Sequence, residues 1–279
     1  MSYQVEPVRA LPAPDFRRLL GVRRETFEAM LAVLATREAA KKKKGRPPDL
    51  ILEQQLLLAL QFWREYRTHY HLAAEWQVAE NTVRRTIQRV ENTLVKSGAF
   101  ALPGRRKVGG GEPPWQVIAV DVTESPVERP KRKQRACYSG KKKRHTLKSQ
   151  VAIDKATGTL LAVACGKGRE HDFRLFKRSK LRPHPSTELL ADSGYQGLAK
   201  RHPNSRTPYK RRGKTIALTP EQQAHNRALA SERVLAENVI RRLKVFRVLK
   251  ETYRHRRKRF GLRVHLLAGL YNHDLNAKS

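Results

Sequence analysis

The chain has 279 residues, and its 59 Lys and Arg against 25 Asp and Glu give a formal charge of +34 at neutral pH, with 39% hydrophobic residues. That charge opposes self-compaction and asks for a polyanionic partner, while the apolar content suffices for one large or two modest folded domains and excludes a mere basic tail. Two cysteines far apart, Cys137 and Cys165, argue against a disulfide framework or a zinc site, and no apolar run approaches the roughly 18 residues of a membrane span or forms the centre of a signal peptide. A cytoplasmic protein is expected.

Residues 15–40 place Phe16, Leu19, Leu20, Phe27, Met30, Leu31 and Leu34 at helical spacing, and the stretch 41–48 (KKKKGRPP) interrupts the pattern. Residues 1–48 therefore read as an N-terminal helical segment with a basic linker. From Asp49, a suitable N-cap, LILEQQLLLALQFWREY reads as one amphipathic helix. HYHLAAEWQVAENTVRRTIQRVENTLV follows as helix, tight turn, helix. Leu72, Ala73 and Trp76 bury the first, Ala79 and Glu80 form the turn, and Asn81 caps a second whose Val83, Ile87, Val90 and Leu94 face inward. Thr82, Arg84, Arg85, Gln88 and Arg89 then face outward near its start. In a helix-turn-helix, here residues 49–98, such positions enter the major groove of DNA, where Arg and Gln pair with G and A edges. An ordinary helical hairpin with a solvated basic face has the same local pattern.

Residues 99–114 are rich in Gly, Pro and charge and mark a linker, beyond which the periodicity over 115–279 becomes strand-like. WQVIAVDVTES, HTLKSQVAID and TLLAVACGKG read as three antiparallel strands, the last two joined by a turn whose Gly158 suits a hairpin. HDFRLFKRSK reads as a short helix in which Asp172 suits the N-cap, TELLADSG as a fourth strand and TPYK as a fifth, in the order β-β-β-α-β-α-β-α. A long helix over 220–250 follows, and RVHLLAGLYNHDLN closes the chain as another. Trp63, Trp76 and Trp115 sit among apolar neighbours and read as core.

Three acids stand out. Asp121 in VIAVDVTE and Asp192 in LLADSGYQG each end an apolar strand, where side chains emerge from a rigid support, and Glu237 lies in the helical RVLAENVIRRLK. At 100° per residue from Ala236, the apolar Val239, Ile240, Leu243 and Phe246 fall between about 280° and 40°. On the same wheel Arg233, Glu237, Arg241 and Lys244 fall at roughly 60° to 140°, so Glu237 borders the buried stripe with cations a turn away on each side. Three such carboxylates can hold two hard divalent cations, and a pair of ions activates water or a 3′-hydroxyl for in-line phosphodiester displacement. Taken singly, each acid reads as well as a turn, cap or surface ion-pair residue.

Together the segments resemble the bacterial insertion-sequence transposases of the DDE superfamily, in the insertion-sequence-family-five group. The matching stretches within residues 50–275 are VIAVDVTE, YSGKKKRHTLKSQ, GREHDFRLF with His171 and Asp172, LLADSGYQG, and RVLAENVIRRLK. The last resembles the family pattern of Arg, three residues, Glu, six residues, Lys, as Arg233, Glu237 and Lys244; that pattern usually opens on a Tyr where this chain has Ala230. The resemblance implies an α+β or α/β architecture, a helix-turn-helix domain followed by a ribonuclease-H-like catalytic domain with a mixed five-stranded sheet. It further implies Asp121, Asp192 and Glu237 as catalytic metal ligands and two Mg²⁺ ions, with Mn²⁺ as a substitute. Hydrolysis at the transposon ends and strand transfer into target DNA would follow, in a homodimer acting on double-stranded DNA in the bacterial cytoplasm and nucleoid. A domesticated copy that binds DNA without strand transfer, and a basic RNA-binding protein, are the competing expectations.

The positive charge concentrates in residues 129–148, 200–214 and 241–263, around the acids. The first holds Lys141, Lys142, Lys143 and Arg144 in a loop able to lie along a duplex, with Tyr138 available to stack on a base. Arg233, Arg241 and Lys244 are further candidates for phosphate contact, and His171 for an auxiliary role at the site.

Overall fold

The computed structural model describes residues 5–42, 45, 47–110, 115–211, 217–255 and 257–277. Lys43, Lys44 and Arg46 of the interrupting stretch, 111–114 of the expected linker, and 212–214 and Arg256 of the basic segments lie outside the described residues. The chain forms two compact units, Met1–Ala101 with Leu243–Glu251 and Leu262–Ser279, and Leu102–Arg242 with Thr252–Gly261.

The first unit is helical: α1 (Val5–Arg9), α2 (Ala13–Leu20), α3 (Arg24–Ala39), α4 (Leu52–Glu65), α5 (His69–Trp76) and α6 (Glu80–Ser97). Residues 15–40 are two helices rather than one, because Gly21 at φ 81° ends α2 in the left-handed region, and a Cβ there would sit 2.8 Å from the Phe246 ring. Helix α4 is buried on nearly every side, from Gln55 to Trp63, and forms the centre of the unit. Its N-cap is Ile51 rather than Asp49; the Gln54 side chain accepts from the Ile51 amide and satisfies an end group that a carboxylate was expected to serve. Helices α5 and α6 form the expected helix-turn-helix with Val83, Ile87, Val90 and Leu94 buried. Its second helix begins two residues earlier than expected. Ala79 takes the N-cap position, and Asn81 lies inside α6, where its Oδ1 accepts from Arg84.

In the second unit a short helix, α7 (Gly104–Gly109), stands within the expected linker, and its Val108 is buried in the core of the sheet. The sheet comprises β1 (Val117–Pro126), β2 (Tyr138–Ser139) preceded by α8 (Gln134–Cys137), β3 (Arg144–Asp154), β4 (Leu160–Lys167), β5 (Glu188–Ala191) and β6 (Ser205–Arg206). Its order is β2-β3-β1-β5-β6 with β4 also on β3; β1 runs antiparallel to β3 and parallel to β5, and β5 parallel to β6. This is the expected mixed sheet flanked by helices, here α9 (Asp172–Ser179) and α10 (Pro220–Leu243). Ile118, Val120, Leu189, Ala191, Phe176 and Tyr195 share one core. Each large apolar side chain so buried contributes about 1.5–3 kcal/mol.

Three expectations are corrected here. TPYK is not a strand: the last strand is Ser205–Arg206, and Pro208 cannot donate to a ladder. Between β5 and β6 the chain makes two 3₁₀ turns, Ser193–Tyr195 and Leu198–Lys200, in place of an α-helix. The long helix stops at Leu243, and α11 (Arg247–Lys250) is separate. Helix α12 (Phe260–Asn276) packs with the first unit from Leu262 onward. Its Val264, Leu266, Leu267 and Leu270 are buried there, and its Arg263 Nε donates to the fully buried Glu91 at 2.6 Å.

Candidate active site

The register of the sheet places two acids side by side. Strand β5 pairs with β1 from Val117↔Glu188 to Val120↔Ala191, so Asp121 and Asp192 are the next residue on each of two neighbouring parallel strands, about 4.8 Å apart in backbone terms. Asp121 does not end its strand, as expected from the sequence, but sits in its middle. Thr123 and Glu124, which read as polar strand-end residues, go on pairing with Ser149 and Lys148 of β3. Asp192 does leave its strand, and its Oδ1 accepts from the Gly194 amide at 2.8 Å to cap the 3₁₀ turn. Alternation along β1 sends Val120 and Val122 to the core, which leaves Asp121 on the opposite face.

Helix α10 supplies that face. Its Ala236, Val239 and Leu243 are buried, whereas Glu237 is exposed beside them, as the helical wheel requires. One turn earlier Arg233 reaches Asp121, Nη2 to Oδ1 3.5 Å, and both side chains are nearly covered. The Arg233 Nε is buried with no hydrogen-bond partner among the described residues. Helix α10 is pinned to the sheet edge by Glu232, which accepts from Arg206 of β6 at 2.8 and 2.9 Å and pairs with Lys155 of the β3–β4 turn. These hydrogen bonds hold the Glu232 carboxyl down at about 2. Lys244 follows directly on the last residue of α10.

Electrostatics show the acids converging. Burial pushes the Asp121 carboxyl up to about 6; Arg233 and the Val122 amide oppose the shift, and the charges of Asp192 and Glu237 add to it. A fourth carboxylate stands with them. A Cβ on Gly194 would lie 2.8 Å from Asp172 Oδ2 and 2.9 Å from Asp192 Oδ1, so the two carboxylates flank the Gly194 backbone from either side. Asp172 is the first residue of α9 and not its cap, a position His171 takes. Its Oδ1 instead accepts from the buried Lys148 at 2.6 Å, and Lys148 also donates to the Glu170 carbonyl and stands 4.0 Å from Glu124. The buried Tyr195 hydroxyl is raised well above its usual value by burial and then by Asp172, Asp121 and Asp192.

The sequence offered a signal for Asp172 in GREHDF, read as capping, showed Lys148 and Arg206 only as members of basic segments, and offered none for Glu232. Of the other candidates, Arg84, Arg85 and Arg89 are exposed on α6 and Gln88 is half-buried. Lys141, Lys142, Lys143 and Arg144 form an exposed turn beside the exposed Tyr138, and His171 and Arg241 are exposed in the second unit. Hard oxygen donors of this kind suit a divalent cation. Among the described residues, however, no three His, Cys, Asp or Glu stand close enough to hold one as they are, and Arg233 lies against Asp121.

Residues 120–272, more than half of the chain, match the DDE superfamily endonuclease family, and 48–100 match the helix-turn-helix of DDE superfamily endonuclease. The chain belongs to the DDE superfamily. It is 44% identical, over 99% of its length and all of the relative, to a probable transposase for insertion sequence element IS702 from Microchaete diplosiphon. A putative transposase for insertion sequence element IS112 from Streptomyces albus G is 27% identical over 83% of this chain and 84% of its own. No solved structure matches. The DDE domain thus carries Asp121, Asp192 and Glu237 within its matched span, and the matched helix-turn-helix carries Arg84 to Arg89. Endonucleases of this superfamily generally use divalent metals. No helix among the described residues is long and apolar enough to cross a membrane.

Proposed function

We propose that this protein is an active transposase that cuts DNA at the ends of its insertion sequence and joins the freed 3′-hydroxyls to target DNA. The observation that carries the reading is the β1–β5 register, which sets Asp121 beside Asp192 while Glu237 comes near enough to raise Asp121. In the first step water attacks phosphorus and the bond to the 3′-oxygen breaks. In the second the 3′-hydroxyl attacks a target phosphodiester and displaces another 3′-oxygen. Asp121, Asp192 and Glu237 would hold Mg²⁺, or Mn²⁺ in its place, and the ions supply a more acidic nucleophile and charge neutralisation at the leaving oxygen.

The chain's own groups prepare that site. Arg233 holds Asp121 in place and keeps a buried Nε free to donate to a phosphate oxygen. Glu232 fixes the height of α10, and hence of Glu237, against the sheet. Lys148 neutralises Asp172 and keeps it from repelling an incoming phosphate. The exposed face of α6, with Arg84, Arg85, Gln88 and Arg89, reads the terminal inverted repeats. Lys141 to Arg144 and Arg241 contact phosphates, and two copies act together on the two ends in the cytoplasm. The test is divalent-dependent cleavage of end-containing DNA by wild type and by the Asp121→Ala, Asp192→Ala and Glu237→Ala variants. A variant that keeps nearly the wild-type rate removes its residue from the site, and a wild type that binds ends without cutting leaves a DNA-binding protein instead.

A further inference from the structure

We propose that a basic groove of the second unit, lined by the residue before Asp172 and built partly from the basic segments 129–148 and 241–263, seats the phosphate backbone of the DNA strand leading to the site. The groove encloses about 1070 Å³ and is walled by α8, the ends of β3 and β4, the first turns of α9, and the chain around Phe260. Arg135, Lys167, Arg169, Arg174 and Arg257 line it, all of them exposed. Glu170 is the one carboxylate among its lining residues, and that charge is already taken. Arg178 donates to Glu170 at 2.8 and 3.0 Å and holds its carboxyl below the usual range.

A cluster of cations on a convex face repels itself little and needs no ligand. Cations gathered around a concavity raise the potential inside it and favour a polyanion with regularly spaced charges over a single small anion. The position of the groove identifies that polyanion. His171 lines it, and the next residue, Asp172, is the one whose carboxylate lies with Asp192 across Gly194. A strand whose phosphates sit on Arg135, Arg169 and Arg174 therefore runs up to the first turn of α9, where Asp172 stands. The inference rests on the reading of the site as a DNA nuclease.

The test uses the full chain with Arg135, Arg169 and Arg174 all changed to Glu. A second triple variant, Arg106→Glu, Lys107→Glu and Arg182→Glu, changes net charge equally at exposed positions of the same unit outside the groove. Binding of a fluorescent mixed-sequence duplex is followed across KCl concentrations, together with KM and kcat for cleavage of end-containing DNA. The groove variant is expected to lose about 0.9 per contact, or roughly 2 to 3 in all, from the slope of log affinity against log salt. Its KM should rise on the order of tenfold, with kcat at saturating DNA nearly unchanged, while the control keeps the wild-type slope. Equal slopes for groove variant and wild type, or equal losses in both triple variants, overturn the groove. A wild type that neither binds nor cuts DNA overturns the functional reading itself, and the inference with it.

Discussion

In the first unit the buried carboxylates are enclosed by partners. Glu91, fully buried, accepts from Trp63 at 3.1 Å and Arg263 at 2.6 Å, and Asp274 accepts from Thr26 and the Arg23 amide and pairs with Arg17 at 3.0 Å. In the second unit Asp121 is nearly as covered, yet it has a long 3.5 Å ion pair, its neighbour's amide, and two further acids close by. A buried charge with every lone pair satisfied specifies packing. A buried charge left among like charges is a cost that only a missing partner offsets, which is why perturbed groups mark sites.

The largest expected effect comes from Asp121→Asn. Cleavage should fall by on the order of 10³-fold or more, about 4 kcal/mol in the barrier, while stability at neutral pH rises. The sign follows from the raised carboxyl: between 3.8 and about 6 the folded state binds more protons than the unfolded one, so Asp121 lowers stability as pH rises through that window. Urea melts in metal-free buffer should show wild type losing on the order of 1–3 kcal/mol across it and the variant losing none of that part. A variant that is destabilised instead would put Asp121 in the same class as Glu91.

Glu91→Ala sharpens the other side. It removes the buried carboxylate that accepts from both Trp63 and Arg263 and should cost about 3–5 kcal/mol, read as a lower melting transition of the first unit. With the fold intact at low temperature, cleavage of saturating DNA should stay near wild type. Lys148→Met comes next and mixes the two classes, because it leaves Asp172 beside Asp192 with no cation. Stability should fall by about 2 kcal/mol and kcat should fall with it, whereas Lys148→Arg should restore much of both. Loss of stability alone would make Lys148 a packing residue.

Much of this contrast was open to the sequence, and some was not. Asp192 and Glu237 were legible because a strand ending in a turn and a helical stripe are local patterns. The middle position of Asp121 was not, since Glu124 and Thr146, which hydrogen-bond at 2.7 Å, meet only when β3 pairs with β1. The groove's cations come from segments scattered between 133 and 257, and the sequence showed the charge of 129–148 and 241–263 but not that they meet Lys167, Arg169 and Arg174 around one concavity. The allegiance of α12 to the first unit depends on Arg263 meeting Glu91 across 172 residues of sequence, a distance no periodicity spans.

The smallest effect is expected at Glu232, which is well paired yet only half-buried, and so tests whether pairing or burial governs the contrast. Its carboxyl is held at about 2, below the usual 4.5, so the folded state binds fewer protons than the unfolded one between these values. The stability it contributes is complete above about 4.5 and is lost as pH falls toward 2. Solvent screens the Arg206 and Lys155 contacts, and Glu232→Gln should therefore cost no more than about 0.5–1 kcal/mol at neutral pH and nothing near pH 2. Because Glu232 anchors the helix that carries Glu237, a modest drop in kcat should accompany that loss, with KM for DNA unchanged. A drop in kcat far larger than the stability change would mean that α10 shifts against the sheet when the anchor goes, and that the height of Glu237 depends on this one pair.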